Sequence, residues 1–201
     1  KRADCIITAT KGHIESSKYL RHFKDKCTII PYGIDENDFK KSEDSEKIID
    51  KYKVFENSKK VLFVGRLVYY KGVEVLIDAF SEINGAELFI IGEGALREKL
   101  INKVNNLGIS DKIHFLGRLD DNKLKACLRD CDMLAFPSVS NGEAFGLVQL
   151  EAMIYGKPVI NTNLPTGVPY VSINNETGFN TYIRYSCRQI SINNRSTDVC
   201  S

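Results

Sequence analysis

The chain has 201 residues, 43% of them hydrophobic and 27% charged, with a mean hydropathy of −0.22, which excludes a fibrous, low-complexity or membrane-embedded protein. The length supports one full domain with a sizeable core and part of another. Its 28 basic and 26 acidic residues leave a net charge of +2, which by itself argues neither for nor against nucleic acid; no such partner is expected.

Residues 1–33 read as a short strand–helix–strand unit: a strand at Cys5–Thr8, a helix at Glu15–Phe23, and a strand at Cys27–Ile30 closed by Pro31-Tyr32-Gly33. Residues 34–58 are polar and charged, with a modest helical pattern around Ile48 to Phe55, and are expected to be a linker. From Lys60 a strand–helix alternation sets in. Val61-Leu62-Phe63-Val64 is a β-rich apolar run, as a buried parallel strand requires. Val73, Leu76, Ile77, Phe80 and Ile83 then recur at helical spacing. Leu88–Ile91, Ile113–Leu116 and Met133–Phe136 predict further strands, with helices over Leu96–Leu107 and Leu124–Cys131 between them. Asp120 or Asp121 is available to cap the second of these helices. A helix from about Phe145 to Tyr155 follows, and Pro158-Val159-Ile160 opens a fifth strand. The order predicts an α/β fold with a doubly wound parallel sheet over 59–179, whose ligands bind beyond the carboxyl ends of the strands. After Gly178-Phe179 the pattern stops, and 180–201 is expected to be a poorly ordered tail.

The candidate site residues all follow strands. Gly65 turns the chain after the first strand of the alternation, and Arg66 with Lys71 can clamp a diphosphate, Arg as a fork and Lys as a point charge. Glu143 precedes Phe145-Gly146-Leu147, where a helix would direct its free N–H groups and positive dipole end into the loop, an arrangement suited to phosphate. Glu151 lies about a turn and a half into that helix, where its carboxylate can accept hydrogen bonds from the vicinal hydroxyls of a ribose. The plainer alternative is a solvated Glu in a loop and another on a helix surface. Gly92-Glu93-Gly94 lacks the third glycine of a dinucleotide fingerprint, and Arg118-Leu119 could edge a base.

Other motifs yield less. The cysteines show no CxxC spacing, and Cys127 with Cys131 read as buried small residues at helical spacing. Asp130-Cys131-Asp132 matches an Asp-x-Asp metal motif, but it closes a helix and enters a strand, so no metal site is assigned. His13, His22 and His114 have no catalytic partner nearby in the sequence.

Taken in order, Val64-Gly65-Arg66-Leu67 with Lys71-Gly72, Gly92-Glu93-Gly94, Phe115-Leu116-Gly117-Arg118, Pro137-Ser138, the Glu143/Glu151 element, Pro165-Thr166-Gly167 and Glu176-Thr177-Gly178 resemble the carboxyl-terminal half of family 4 glycosyltransferases, especially bacterial enzymes of surface-polysaccharide synthesis. The resemblance implies a GT-B protein: two Rossmann-like domains, with residues 1–33 a remnant of the amino-terminal, acceptor-binding one. It implies retaining transfer of a hexose from a UDP- or GDP-sugar to a glycan or lipid-linked acceptor, without a cofactor or metal. By the same resemblance Arg66 and Lys71 bind the diphosphate, and Glu143 with the Phe145-Gly146-Leu147 backbone holds sugar and phosphate. Glu151 then binds the ribose, Arg118 and Leu119 flank the base, and Gly65 belongs to the donor loop. It implies a cytoplasmic enzyme at the inner face of the membrane, associating peripherally through its missing half. The chain opens at Lys1 without Met, as a piece of a longer enzyme would, and such a piece is expected to be inactive alone. A nucleotide-sugar-binding module or a GT-B epimerase is the alternative. A Rossmann oxidoreductase is not supported, because the first strand lacks GxGxxG.

Overall fold

Two parallel sheets are formed among the described residues. The computed structural model describes residues 2–40, 47–52 and 55–182. In the small unit, strand β1 (Ile6–Thr8) pairs in parallel with β2 (Cys27–Ile29). The helix between them differs from expectation: α1 spans Lys11–Ser16, and a 3-10 segment follows at Leu20–Lys26 with a kink at Phe23. Thr10 moves the start forward, because its hydroxyl caps the His13 N–H at 3.2 Å. The Ser17 hydroxyl then accepts from the Leu20 N–H at 3.1 Å and starts a separate turn. A short helix α2 (Asn37–Lys40) begins the connection.

Part of that connection is packed: among its described residues the helical pattern yields a 3-10 turn at Ile49–Lys51, and Ile48 and Ile49 are buried in the main core. Its end is fastened by Glu87, which is wholly buried and accepts hydrogen bonds from the Phe55 N–H (2.6 Å), the Ser58 hydroxyl (2.5 Å) and His114 Nε2 (2.8 Å). His114 in turn stacks on Phe89 at 4.7 Å.

The large sheet is parallel throughout and has six strands: β3 (Lys59–Val64), β4 (Ala86–Ile91), β5 (Ile113–Gly117), β6 (Met133–Phe136), β7 (Val159–Thr162) and β8 (Gly178–Thr181), in the order β5-β4-β3-β6-β7-β8. Alternation along the strands separates two cores. Val61, Phe63, Leu88 and Ile90 face helices α3 (Val73–Glu82) and α4 (Arg97–Leu107). Leu62, Phe89, Ile91, Leu134 and Phe136 face α5 (Asp121–Asp130) and α6 (Leu147–Ile154). The short helix α7 (Val168–Val171) joins β7 to β8. Asp120 is the residue that caps α5, accepting from the Lys123 N–H at 3.0 Å.

The expected end of the pattern is corrected at β8. Gly178–Thr181 pairs in register with Val159–Thr162, so the sheet runs two residues past 179. A four-residue edge strand is too short to show a period, and Gly178 together with Asn180 masks it further. The rest of the expected tail, residues 183–201, lies outside the described residues. Among the described residues no helix is long and apolar enough to cross a membrane.

Replacing Glu87 by Ala should leave several buried donors unmet and lower stability by roughly 3 kcal/mol. Urea unfolding followed by circular dichroism checks this. A change near zero would mean that the connection is not held at this point.

Candidate active site at the switch point of the sheet

The chain lays β4 and β5 on one side of β3 and then returns to place β6, β7 and β8 on the other. The loops leaving β3 and β6 therefore diverge from adjacent strands, and their crevice is where an open α/β sheet takes its ligands. Both loops carry the predicted residues.

Lys71 ends a 3-10 turn at Tyr69–Lys71 in the loop after β3, and Glu143 lies in the loop after β6. Lys71 Nζ stands 2.5 Å from Glu143 Oε2, with only 13% and 10% of the two side chains exposed. The same carboxylate oxygen accepts from the Ser138 hydroxyl at 3.0 Å. The ammonium also lies 5.2 Å from the Phe136 ring and 5.6 Å from that of Tyr70, within cation–π range. Backbone packing enforces this meeting. The Val139 N–H donates to the Tyr70 carbonyl at 2.8 Å, and Gly72, at φ +68°, lies where a Cβ would come 1.9 Å from the Pro137 carbonyl oxygen. Behind the loop, the Thr162 hydroxyl on β7 donates to the Ser138 carbonyl.

Arg66 is exposed on the same rim. Its guanidinium donates to the Tyr70 hydroxyl at 2.8 Å, and no carboxylate is paired with it among the described residues. With Lys71 paired to Glu143, Arg66 is a positive charge on this rim with no carboxylate partner among the described residues. Gly65 leads out of β3 beside it, with its Cα facing the Lys71 stem.

The start of α6 closes the crevice. Gly146 is its N-cap at φ +83°, no side chain caps the helix, and a Cβ on Gly146 would strike the Phe136 ring at 2.4 Å. Backbone N–H groups near Leu147 are thus left for an incoming anion. Phe145 is buried and meets Tyr32 edge-to-face at 5.3 Å, while Ala9 and Val171 pack beside it. The small unit therefore rests against the site.

Glu151, further along α6, is half-buried and makes no hydrogen bond or ion pair among the described residues. Burial raises its pKa above the ordinary 4.5, and Asp121 at the start of α5 adds to the rise while Lys125 opposes it.

Arg118 and Leu119 stand apart from this group, after β5 at the far edge of the sheet. Arg118 is exposed and Leu119 packs on the second core. Gly92-Glu93-Gly94 acts as a brace: the Leu67 N–H donates to the Glu93 carbonyl at 2.9 Å, and the Leu96 N–H to the Leu67 carbonyl at 3.0 Å. Asp132 accepts from the Lys60 N–H at 2.7 Å and Asp130 from Arg129 at 3.0 Å. Cys127 and Cys131 are buried, and burial pushes both thiols up to about 12. A groove of about 710 Å³ opens beside the site, between Tyr32–Phe39 and α6. A hollow of about 290 Å³ between Phe55, Ala86 and Lys112 lies at the opposite, amino ends of the strands, away from these groups.

Tyr70 and Thr162 were not singled out by the sequence and meet the site only through the fold; Pro137-Ser138 stands among the sequence motifs, but without a role for the Ser138 hydroxyl.

A crevice at the switch point of a doubly wound parallel sheet, beside an uncapped helix start, is the ligand-binding arrangement of a Rossmann-like domain. The sequence profile described as "Glycosyl transferases group 1" matches residues 44–184, and the chain belongs to this glycosyltransferase family. It is 34% identical to the D-rhamnosyltransferase WbpZ of Pseudomonas aeruginosa over 175 residues, 87% of this chain and 45% of that protein. It is 29% identical to O-antigen chain mannosyltransferase C of Escherichia coli, covering 87% and 46%. The chain thus spans about half the length of the curated relatives it matches. Its fold matches Anabaena HepE, solved with UDP and glucose, with a TM-score of 0.78 at 22% identity, covering 97% of this chain and 54% of that one. It also matches WaaG, a glycosyltransferase involved in lipopolysaccharide biosynthesis, with a TM-score of 0.73 at 25% identity, covering 92% and 51%. The architecture is that of GT-B glycosyltransferases.

A folded carboxyl with a raised pKa holds its proton more tightly than the unfolded one, so folding loses stability as pH rises from 4.5 through the folded titration point. Glu151→Gln should therefore raise Tm at pH 7, with the gain shrinking as pH falls toward 4.5. Thermal melts across that range read it out; a variant less stable at pH 7 would contradict the burial argument.

Proposed function

We propose that this chain is the donor-binding half of a retaining, family 4 hexosyltransferase. It takes a nucleotide-diphosphate sugar, UDP- or GDP-linked, and the longer enzyme passes the hexose to a glycan or lipid-linked acceptor in bacterial surface-polysaccharide synthesis. In this reading residues 1–33 are the end of an acceptor domain, 34–58 the connection and 59–179, extended by β8, the donor domain. The enzyme works in the cytoplasm at the inner face of the membrane and needs no metal.

What supports the reading is the Lys71–Glu143 pair with Arg66 beside the uncapped start of α6, and the unpartnered Glu151 further along that helix. UDP and UDP-glucose in the structures of HepE support it, as do the likenesses to a D-rhamnosyltransferase and to an O-antigen chain mannosyltransferase. Departure of a nucleoside diphosphate builds negative charge on phosphate oxygens. Arg66 brings a fork of N–H donors to that charge, Lys71 a buried ammonium, and the α6 start a preorganised dipole end. These groups stand in for the cation other transferases use, which is why turnover is proposed to be metal-independent. Glu143 holds Lys71 in place and faces the transferred sugar. Glu151, lacking a protein partner, accepts from ribose hydroxyls, while Arg118 and Leu119 lie along the base.

Calorimetry with UDP, GDP and their sugars tests the reading. Binding by the chain is expected, and Arg66→Ala should weaken it by about tenfold. Equal binding by Arg66→Ala, or binding of none of these ligands by a folded sample, would refute it.

In the longer enzyme, Lys71→Ala should lower kcat by on the order of a hundredfold, as the loss of one preorganised donor does. Glu151→Ala should act chiefly on donor KM, because ribose contacts serve ground and transition states alike. EDTA should leave the rate nearly unchanged. Restoration of a chelated enzyme by Mg²⁺ or Mn²⁺ would overturn the metal-free assignment.

A further inference from the structure

The turn into α6 is fastened from behind by a pair of buried amides. Gln149 and Asn161 are both fully buried, on α6 and β7 respectively. Gln149 Nε2 donates to the Phe145 carbonyl at 2.9 Å and to the Val168 carbonyl at 3.5 Å. Asn161 Nδ2 donates to Gln149 Oε1 at 2.8 Å and to the Val168 carbonyl at 3.2 Å. Each NH₂ group thus spends both its hydrogens on fixed acceptors. Flipping either amide would set N–H against N–H or oxygen against a carbonyl, so the pair has one orientation.

That orientation reaches the crevice through the peptide plane. The Phe145–Gly146 bond is trans, as are all the described peptide bonds, so its N–H points opposite to its C=O. With the carbonyl drawn inward to Gln149, the Gly146 N–H is turned outward. The preceding plane is fixed as well, because the Ala144 carbonyl accepts from the Gly167 N–H at 2.8 Å.

We propose that Gln149 and Asn161 are positioning residues of the donor site, turning the Gly146 N–H to join the first N–H groups of α6 around the diphosphate. This rests on the donor-site reading above. A second observation argues against a purely packing role. Asn161 Oδ1 is buried without a hydrogen-bond partner, so the pair carries an unmet acceptor that apolar residues of the same size would avoid. The pair fixes a direction, and an apolar pair of the same shape cannot.

The test uses the whole chain with Gln149→Met, Asn161→Leu and the double variant. In the ligand-free state, the Gly146 and Leu147 amide resonances should shift in each variant while those of Leu76 and Phe80 on α3 stay in place. Titration with UDP or GDP should show about a tenfold loss of affinity in each single variant, the equivalent of one hydrogen bond, while the matching nucleoside binds as before. The double variant should regain Tm relative to the single ones without regaining diphosphate affinity. The inference is overturned if the two amides do not move. It is overturned equally if diphosphate and nucleoside weaken together, or if the double variant recovers affinity along with stability. Should one single variant fail to fold, the other and the double still decide. If the unsubstituted chain binds neither UDP nor GDP, the donor-site reading fails, and the ligand-free amide shifts still judge the positioning claim.

Discussion

The contact between Lys71 and Glu143 is the constraint around which the upper end of the sheet is arranged. Two charges with so little exposure can be left together only if their attraction offsets the loss of water from both. The structure supplies what that requires: the Ser138 hydroxyl for the carboxylate, aromatic faces for the ammonium, and two loops pressed together at Gly72 and Pro137. A buried ion pair is seldom a net source of stability compared with apolar packing. Its value here is geometric, because it ties the loop of β3 to the loop of β6 across the one place where the sheet opens.

Three buried or half-buried carboxylates show how surroundings sort roles. Glu87, at the amino end of the sheet, is saturated by hydrogen-bond donors and serves to fasten the connecting segment. Glu143 is held by one cation and one hydroxyl. Glu151 has neither, and its proton affinity rises accordingly. Of the three, only Glu151, on the helix that starts at the carboxyl end of the strands, is left without a protein partner among the described residues.

The small two-stranded unit belongs to this picture because it touches it. Tyr32 lies against Phe145, and α1 approaches the 166–167 turn so closely that a Cβ on Gly12 would sit 2.8 Å from the Thr166 carbonyl oxygen. Whatever occupies the crevice is bordered by that unit as well as by the sheet.

The sequence by itself determined the five strands from Val61 to Ile160, the helices between them, and hence a doubly wound sheet. It did so because a strand buried on both faces must be apolar along its whole length, and each amphipathic helix must turn its stripe inward. It also located Arg66, Lys71, Glu143 and Gly146 as loop and helix-start residues following strands, and Glu151 further along the same helix. It missed β8, where four residues with a glycine show no period, and misplaced the first helix, where two hydroxyls competed to start it. Only the tertiary structure decided which of these residues meet. Lys71 and Glu143 are far apart along the chain, and nothing local says that β6 lies beside β3 rather than beside β5. The strand order made that choice, and with it a loop lysine and a loop glutamate became one buried pair. Gln149 and Asn161 follow the same rule: in sequence each is a lone polar residue in an apolar run, and only packing α6 on β7 makes them partners.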